Sequence, residues 1–496
     1  MKFNRFLWDN YRQTNRGKSI IEEFSRLEDL SDGDLLSQVR RFNPGVFNMV
    51  NPESFLDILV FFLQEYGDII DSPVDGLDDA CRLYSSISDR EIKDEIGRYV
   101  VKRGEYPVLL QGSIPLSYAL SFAHPEYFFP NLYPFRFEAF VRLCGSYEDL
   151  GVPEIPKKSD YKGRYMYYME MCRMFHDFRA RYGLSPAELC AFLYDFAPRT
   201  IEEADGADHG ALPEPSSIWC IGGSVPDPGG LWQCSEETRR GDILLYYQKS
   251  PVSAFTHILR ADSDGLVDPF FHYYSRAYLR DSVSVPHIGL EEMKSDGRLA
   301  ALPLVRKNLQ GVNGWPLKNG DYLNILAILR EKGFNTSSLP VLPVMEFRAG
   351  RRISLEKDVE EYLLNPWLRE CGVSDGDYVR QMPLHMGRGV VKYPDYAVFA
   401  DVSDGYETAA VIIEAKLEIK TNKEREEAFK QARSYALRLE ADYTMLCDRN
   451  SIWIYKGADR VRYERYSWAE LRTPEVFARM KRLFSGLKSR KRVQKT

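Results

Sequence analysis

The nine-residue run Ala409-Ala-Val-Ile-Ile-Glu-Ala-Lys-Leu417 constrains this chain more than any other stretch. It is apolar on both faces except at Glu414 and Lys416, so it reads as a deeply buried strand of a layered α/β sheet. Residues two apart in a strand point to the same face, and the two charges therefore project together from one edge of the sheet. Charges within a buried strand are costly unless they are paired or bound to a metal. Tyr396-Ala-Val-Phe399 reads as a second strand, and if the two pair, Asp395 at its start can share a cation with Glu414. Two carboxylates placed this way suit Mg²⁺ (or Mn²⁺), a hard cation that keeps several waters and leaves room for a phosphate oxygen. Lys416 would orient or deprotonate the attacking water and neutralise developing charge. The implied chemistry is metal-assisted phosphodiester hydrolysis.

Further residues stand in order around this pair. Pro394-Asp395 precedes Glu414-Ala-Lys416, and Gln431-Ala-Arg-Ser-Tyr435 follows on a segment with Phe429, Ala432, Ala436 and Leu439 at helical spacing. Upstream, residues 356–372 read as a helix that starts with Glu356, Asp358, Glu360 and Glu361, and residues 446–455 read as a hairpin. This ordered set resembles the PD-(D/E)XK nuclease superfamily, and within it the nuclease domain of type I restriction subunits, over about residues 350–460. The resemblance implies a catalytic set of Asp395, Glu414, Lys416, Glu356, Gln431 and Tyr435, with Asp395 and Glu414 as metal ligands. Gln431 and Tyr435 would contact DNA or the catalytic lysine; their plainer reading is the polar shoulder of a helix. Glu356 is chosen because it stands ten residues before Pro366, although the helix dipole alone favours acids at a helix start.

At 496 residues, with 44% hydrophobic and 13% aromatic residues, the chain is globular and long enough for two to four domains. A net charge of −6 excludes a uniformly basic DNA-coating protein but allows a local basic surface. The clearest basic run lies within 481–496, either a solvated end or a phosphate contact. The eight cysteines include no C-x-x-C pair, and the seven histidines include no H-x-x-x-H cluster. A zinc ribbon, a disulfide scaffold and a zinc hydrolase all lose ground. No secretory signal or membrane span is read, so the expected location is cytoplasmic.

The expected fold class is α+β multidomain. Residues 1–200 read as helical and of unreadable role, with helices at 20–27, 55–66 and 161–182, and another opening at Ser185-Pro186. An acidic, Gly- and Pro-containing linker occupies 201–215, and residues 216–335 are β-rich. In that middle region a strand bears Trp219, a Gly/Pro-rich loop bears Trp232, and two strands bear Tyr247 and Phe255. It resembles the EVE and PUA-like barrels, which implies nucleic-acid binding and a pocket for a modified base. Trp219, Trp232, Tyr247, Phe255 and Trp315 are candidates for the wall of such a pocket, or else for the barrel interior. The nuclease-like domain spans 345–480, and no P-loop accompanies it. The expectation is a Mg²⁺-dependent DNA endonuclease of a restriction or phage-defence system, acting on DNA either unmodified or carrying modified bases. A single nuclease core favours a homo-oligomer for double-strand cuts. The rivals are a catalytically silent nucleic-acid-binding subunit and an RNA-directed nuclease.

Overall fold

The computed structural model describes every residue except 49, 206–210, 271–273, 347–351, 386–390, 403–406, 458–461 and 495–496. The chain is mixed α/β and divides into two compact units, Met1–Ala211 with Gly265–Arg276, and Leu212–Asp264 with Ala277–Thr496. Among the described residues no helix is long and apolar enough to cross a membrane.

The first unit is helical around one aromatic-rich core. Its longest helix, α1 (Tyr161–Tyr182), is capped by Asp160, whose side chain accepts from the Gly163 amide, and ends at Gly183 in the left-handed region (φ 59°), where glycine carries no Cβ penalty. Ser185 and Glu188 form the capping box of the next helix, with Pro186 in its first turn. Tyr165, Tyr167 and Tyr168 of α1 pack inward while Tyr161 stays exposed; Tyr165 stacks on Tyr84 with ring centroids 4.3 Å apart. Buried Arg164 donates to the Pro269 and Phe270 carbonyls, at 2.8 and 2.5 Å, and so holds segment 265–276 in this unit. Helix continues through Ala197–Asp205, so the linker begins later than the sequence suggests. Positions 206–210 of that linker lie outside the described residues.

The second unit holds two sheets. The first comprises β1 (Ile218–Gly223), β2 (Gly230–Gln233), β3 (Ile243–Gln248), β4 (Ala254–Ala261), β5 (Ser275–Gly289) and β6 (Trp315–Pro316), in the order β2-β5-β4-β3-β1-β6. The sheet curls, because residues next to its two edge strands meet: Asn313 Nδ2 donates to Gln233 Oε1 at 3.2 Å. Trp232, expected in a loop, lies on β2. Its ring crosses Gly223 of β1, where an added Cβ would lie 2.3 Å from the indole. Helix α2 (Asn319–Glu331) covers one face of this sheet through Tyr322, Ile325 and Leu329.

The second sheet runs β7 (Tyr378–Arg380), β8 (Tyr396–Val398), β9 (Val411–Ala415), β10 (Tyr443–Cys447), β11 (Ser451–Lys456) and β12 (Tyr463–Ser467), in chain order. Only β9 and β10 pair in parallel, which demands a crossover, and helix α5 (Asn422–Arg438) supplies it. Helices α3 (Glu356–Val359) and α4 (Asn365–Glu370) are joined by a π-helical turn, Glu360–Leu364. Pro366 has no N–H to offer and its ring would crowd the carbonyl four residues back, which a widened turn relieves. The sheet is covered on one face by α3, α4 and α6 (Pro474–Gln494), and on the other by α5.

Residues 481–494 continue α6 instead of forming a separate tail. Arg482 Nη1 donates to Ser216 Oγ at 2.5 Å and Asp242 Oδ1 at 3.1 Å, and Lys481 pairs with Glu214 at 2.5 Å. Asp242 is wholly buried and also accepts from the Ser216, Ser217 and Arg239 amides and the Trp219 indole. Helix α6 thereby joins the two sheets of this unit. The side chains of the basic run from 490 onward lie outside the described residues.

Candidate active site

The pairing of β8 with β9 is antiparallel, with Tyr396 opposite Ile413 and Ala397 opposite Ile412. Asp395, one residue before β8, therefore meets Glu414 on the face that carries Ile412 and is covered by α5. Asp395 Oδ2 accepts from the Ala415 amide at 2.8 Å, which fixes its carboxylate against β9. Helix α5 is seated by Ala428, Phe429, Ala432, Tyr435 and Ala436, an apolar stripe at helical spacing. Its start is fixed by a capping box between Thr421 and Glu424. That seating delivers Gln431 to Glu414.

Glu414 is 0% exposed. Its Oε1 accepts from Lys416 Nζ at 2.8 Å and from Gln431 Nε2 at 2.5 Å. Gln431 Nε2 also reaches the Tyr435 hydroxyl, at 3.5 Å. Glu414 Oε2 is buried and has no hydrogen-bond partner. Burial first, then the negative charge of Asp395, pushes the Glu414 pKa up to about 7, against the opposing pull of Lys416. For Lys416 burial works against the ammonium, but its hydrogen bond to Glu414 and the charges of Glu414, Glu356 and Asp395 outweigh it and hold the pKa above its ordinary value. Burial likewise raises the Tyr435 hydroxyl, with Glu414 and Asp395 adding to the effect. Lys416 keeps 30% of its side chain exposed, so water reaches it.

An unpartnered buried carboxylate oxygen beside a second carboxylate fits a hard cation. Asp395 and Glu414 are the residues that would hold it. Among the described residues no group of three or more His, Cys, Asp or Glu side chains is arranged to hold a metal. A hard cation held by two carboxylates would complete its shell with water, as Mg²⁺ and Mn²⁺ do.

Of the six expected catalytic residues, four (Asp395, Lys416, Gln431 and Tyr435) thus gather around the carboxylate of a fifth, Glu414. Glu356 stands exposed at the start of α3, and its charge reaches both Glu414 and Lys416. The sequence reading passed over Glu360, in the π-helical turn. Its side chain is only 12% exposed, pairs with Arg380 and accepts from the Tyr396 hydroxyl at 3.3 Å. Burial raises the Glu360 pKa, Arg380 opposes the shift, and Asp395 adds to it. Only the crowding of four acids at one helix start hinted at it.

The five aromatic residues expected as one wall are divided between the two faces of the first sheet. Trp219 and Trp232 pack with Ile221 and Tyr246 on one face, and the Trp219 indole is committed to Asp242 at 3.0 Å. Tyr247, Phe255 and Trp315 belong to the other. The face alternates along a strand, and Trp219 on β1 and Tyr247 on β3 occupy opposite phases. Phe255 and Trp315 line a pocket of about 390 Å³ together with Cys220, Leu304, Asp321 and Ile325. Lys307 Nζ sits 5.5 Å from the centre of the Trp315 ring.

Comparisons of the chain with known protein families, curated proteins and solved structures return no match.

Proposed function

We propose that this chain is a Mg²⁺- or Mn²⁺-dependent DNA endonuclease of a restriction or phage-defence system. The observation that carries the reading is Glu414 Oε2, a buried carboxylate oxygen without a partner, next to Asp395 and within two residues of Lys416. A fold retains such a group at a cost of about 1–3 kcal/mol, and a bound cation would offset it. The cation, when bound, supplies Lewis-acid polarisation of the scissile phosphate and a more acidic water. Asp395 and Glu414 hold and orient it. Lys416, as the neutral amine, takes the proton of the attacking water while the water oxygen bonds to phosphorus, the P–O bond to the leaving oxygen breaks, and that oxygen takes a proton from solvent water. Gln431 fixes the Glu414 carboxylate, and Tyr435 supports Gln431 from below. Glu356 adds negative charge at the rim.

The pocket beside Phe255 and Trp315 supports a role for the first sheet in DNA recognition, through a base turned out of the helix. An indole face and an apolar floor suit a flat base, and the Asp321 carboxylate suits an amino group on its edge.

The test is the full-length protein with Mg²⁺ on plasmid DNA, unmodified beside DNA carrying 5-methyl- or 5-hydroxymethylcytosine, with Asp395→Ala alongside. Cleavage by the wild type and none by the variant is the expected result. Cleavage confined to modified DNA would add the recognition role, and equal cleavage would remove it. Cleavage by Asp395→Ala at the wild-type rate, or by neither protein, would overturn the assignment.

A further inference from the structure

On the face of the second sheet that bears Glu414, hydrogen-bonded register aligns Glu414, Leu446, Trp453 and Arg465 across β9 to β12. Neighbouring strands lie about 4.8 Å apart, which puts Arg465 about 14 Å from Glu414 along one row. The Arg465 guanidinium lies over the Trp453 ring, 5.1 Å from its centre, and donates to Ser451 Oγ at 3.1 and 3.2 Å. In the next row on this face, Tyr455 and Tyr463 stand side by side with centroids 5.3 Å apart. Arg425 of α5 lies over Tyr463, 4.5 Å from the ring centre, and donates to its hydroxyl.

Both guanidinium groups are held by rings and hydroxyls, which orient a cation without neutralising it. Other arginines of this unit are paired: Arg380, Arg438, Arg449 and Arg479 each meet a carboxylate. Among the described residues no carboxylate lies within ion-pair distance of Arg425 or Arg465. The acid that feels Arg465 is Glu470, whose Oε2 is already taken by the Ser467 amide and hydroxyl at 2.7 and 2.8 Å. Near Arg425 the acid is Glu426, its neighbour on α5, which opposes its effect on Tyr455. Arg465 and Tyr463 are exposed, and Arg425 is half-buried.

We propose that Arg465, Arg425 and Tyr463 form a docking track for the sugar–phosphate backbone of duplex DNA, leading away from Glu414. The inference rests on the nuclease reading of that site. Guanidinium is the side chain best suited to bidentate phosphate contact. At about 3.4 Å of helix axis per phosphate on each strand, the 14 Å row spans about four base pairs. The row therefore fits a backbone contact on the duplex being cut, a few phosphates from the scissile one.

The test uses the full-length protein and a short DNA duplex, with binding followed by fluorescence anisotropy between about 50 and 200 mM salt, in EDTA and again in Ca²⁺. Arg465→Ala and Arg425→Ala should each make the slope of log K against log salt shallower by about 0.9, and the double variant by about twice that. Arg465→Lys should restore most of the slope. In plasmid cleavage both variants should raise KM and leave kcat unchanged. Wild-type binding with an unchanged slope in the variants would overturn the track and leave the nuclease reading standing. Absence of wild-type binding in both EDTA and Ca²⁺ would overturn it as well, and the plasmid assay would then report on the nuclease separately. Circular dichroism should show wild-type folding for both variants, and a slope change without unfolding is what a merely structural role would not give.

Discussion

Glu414→Gln should stabilise the metal-free protein in mildly alkaline solution while abolishing cleavage. The Glu414 pKa of about 7 stands above its ordinary 4.5, with burial as the main cause and the charge of Asp395 second. The folded state therefore binds this proton more tightly than the unfolded chain. That contribution to stability is fully present below about pH 4.5 and is lost as pH rises through 7. Each pKa unit corresponds to about 1.4 kcal/mol, so the ionised group costs the metal-free fold about 3 kcal/mol by pH 8. Glutamine mimics the protonated acid, but its amide N–H₂ replaces the unpartnered Oε2. A donor left unmet there returns about 1–3 kcal/mol of that gain. A net stabilisation of about 1 kcal/mol remains at pH 8; it should vanish near pH 6 and turn into a destabilisation of about 1 kcal/mol near pH 5. Urea unfolding of both proteins in EDTA, at several pH values between about 5 and 8, measures it directly. Added Mg²⁺ should stabilise the wild type at pH 8, by about 2.7 kcal/mol at a hundred times its Kd, and leave the variant unchanged. A variant less stable than wild type at pH 8 in EDTA would refute the reasoning, since Lys416 and Gln431 would then more than compensate the buried charge.

Two further outcomes follow from contacts elsewhere in the second unit. Arg482→Ala leaves wholly buried Asp242 without its counter-ion. Breaking a buried pair costs about 3–5 kcal/mol, and the other donors to Asp242 put the expected loss at the low end, about 3 kcal/mol by urea unfolding. Trp315→Ala should weaken binding of DNA with a modified base by the stacking contribution, about 1–3 kcal/mol. Binding of unmodified DNA, measured alongside in Ca²⁺, should stay as it was.

The parts of the second sheet that carry the site were legible because their pattern is local. The apolar run around Glu414 and Lys416 reads as a buried strand, which β9 is, and the spacing of Gln431 and Tyr435 needs nothing beyond helix geometry. Glu360 was not legible, because its inward direction depends on the π-helical turn before Pro366, which shifts the phase of every residue after it. Trp219 and Tyr247 were grouped because both are strand aromatics. Their opposite faces follow from the phase of two separate strands, which composition does not reveal. The basic run after 480 looked like a tail by charge alone, whereas Ala478, Phe484 and Leu487 continue an apolar stripe that carries α6 onward. Arg482 then finds its partner at Asp242, 240 positions earlier, a pairing no local pattern encodes.

The electrostatics of the site also bear on how Lys416 could act as a base. In the metal-free protein its ammonium is held protonated by Glu414, Glu356 and Asp395, while burial alone would lower its pKa. Those two influences have different origins. Neutralising the Asp395 and Glu414 charges removes most of the first and leaves the second, because the packing around β9 and α5 is unchanged. Under the nuclease reading, Lys416 then moves from a tightly held ammonium toward a group able to accept a proton from water. Gln431 matters to that change, since it shares Oε1 with Lys416 and can hold the carboxylate in place when the lysine lets go. Under that reading, the carboxylates that hold the Lys416 ammonium would let it act as a base only once their own charges are neutralised.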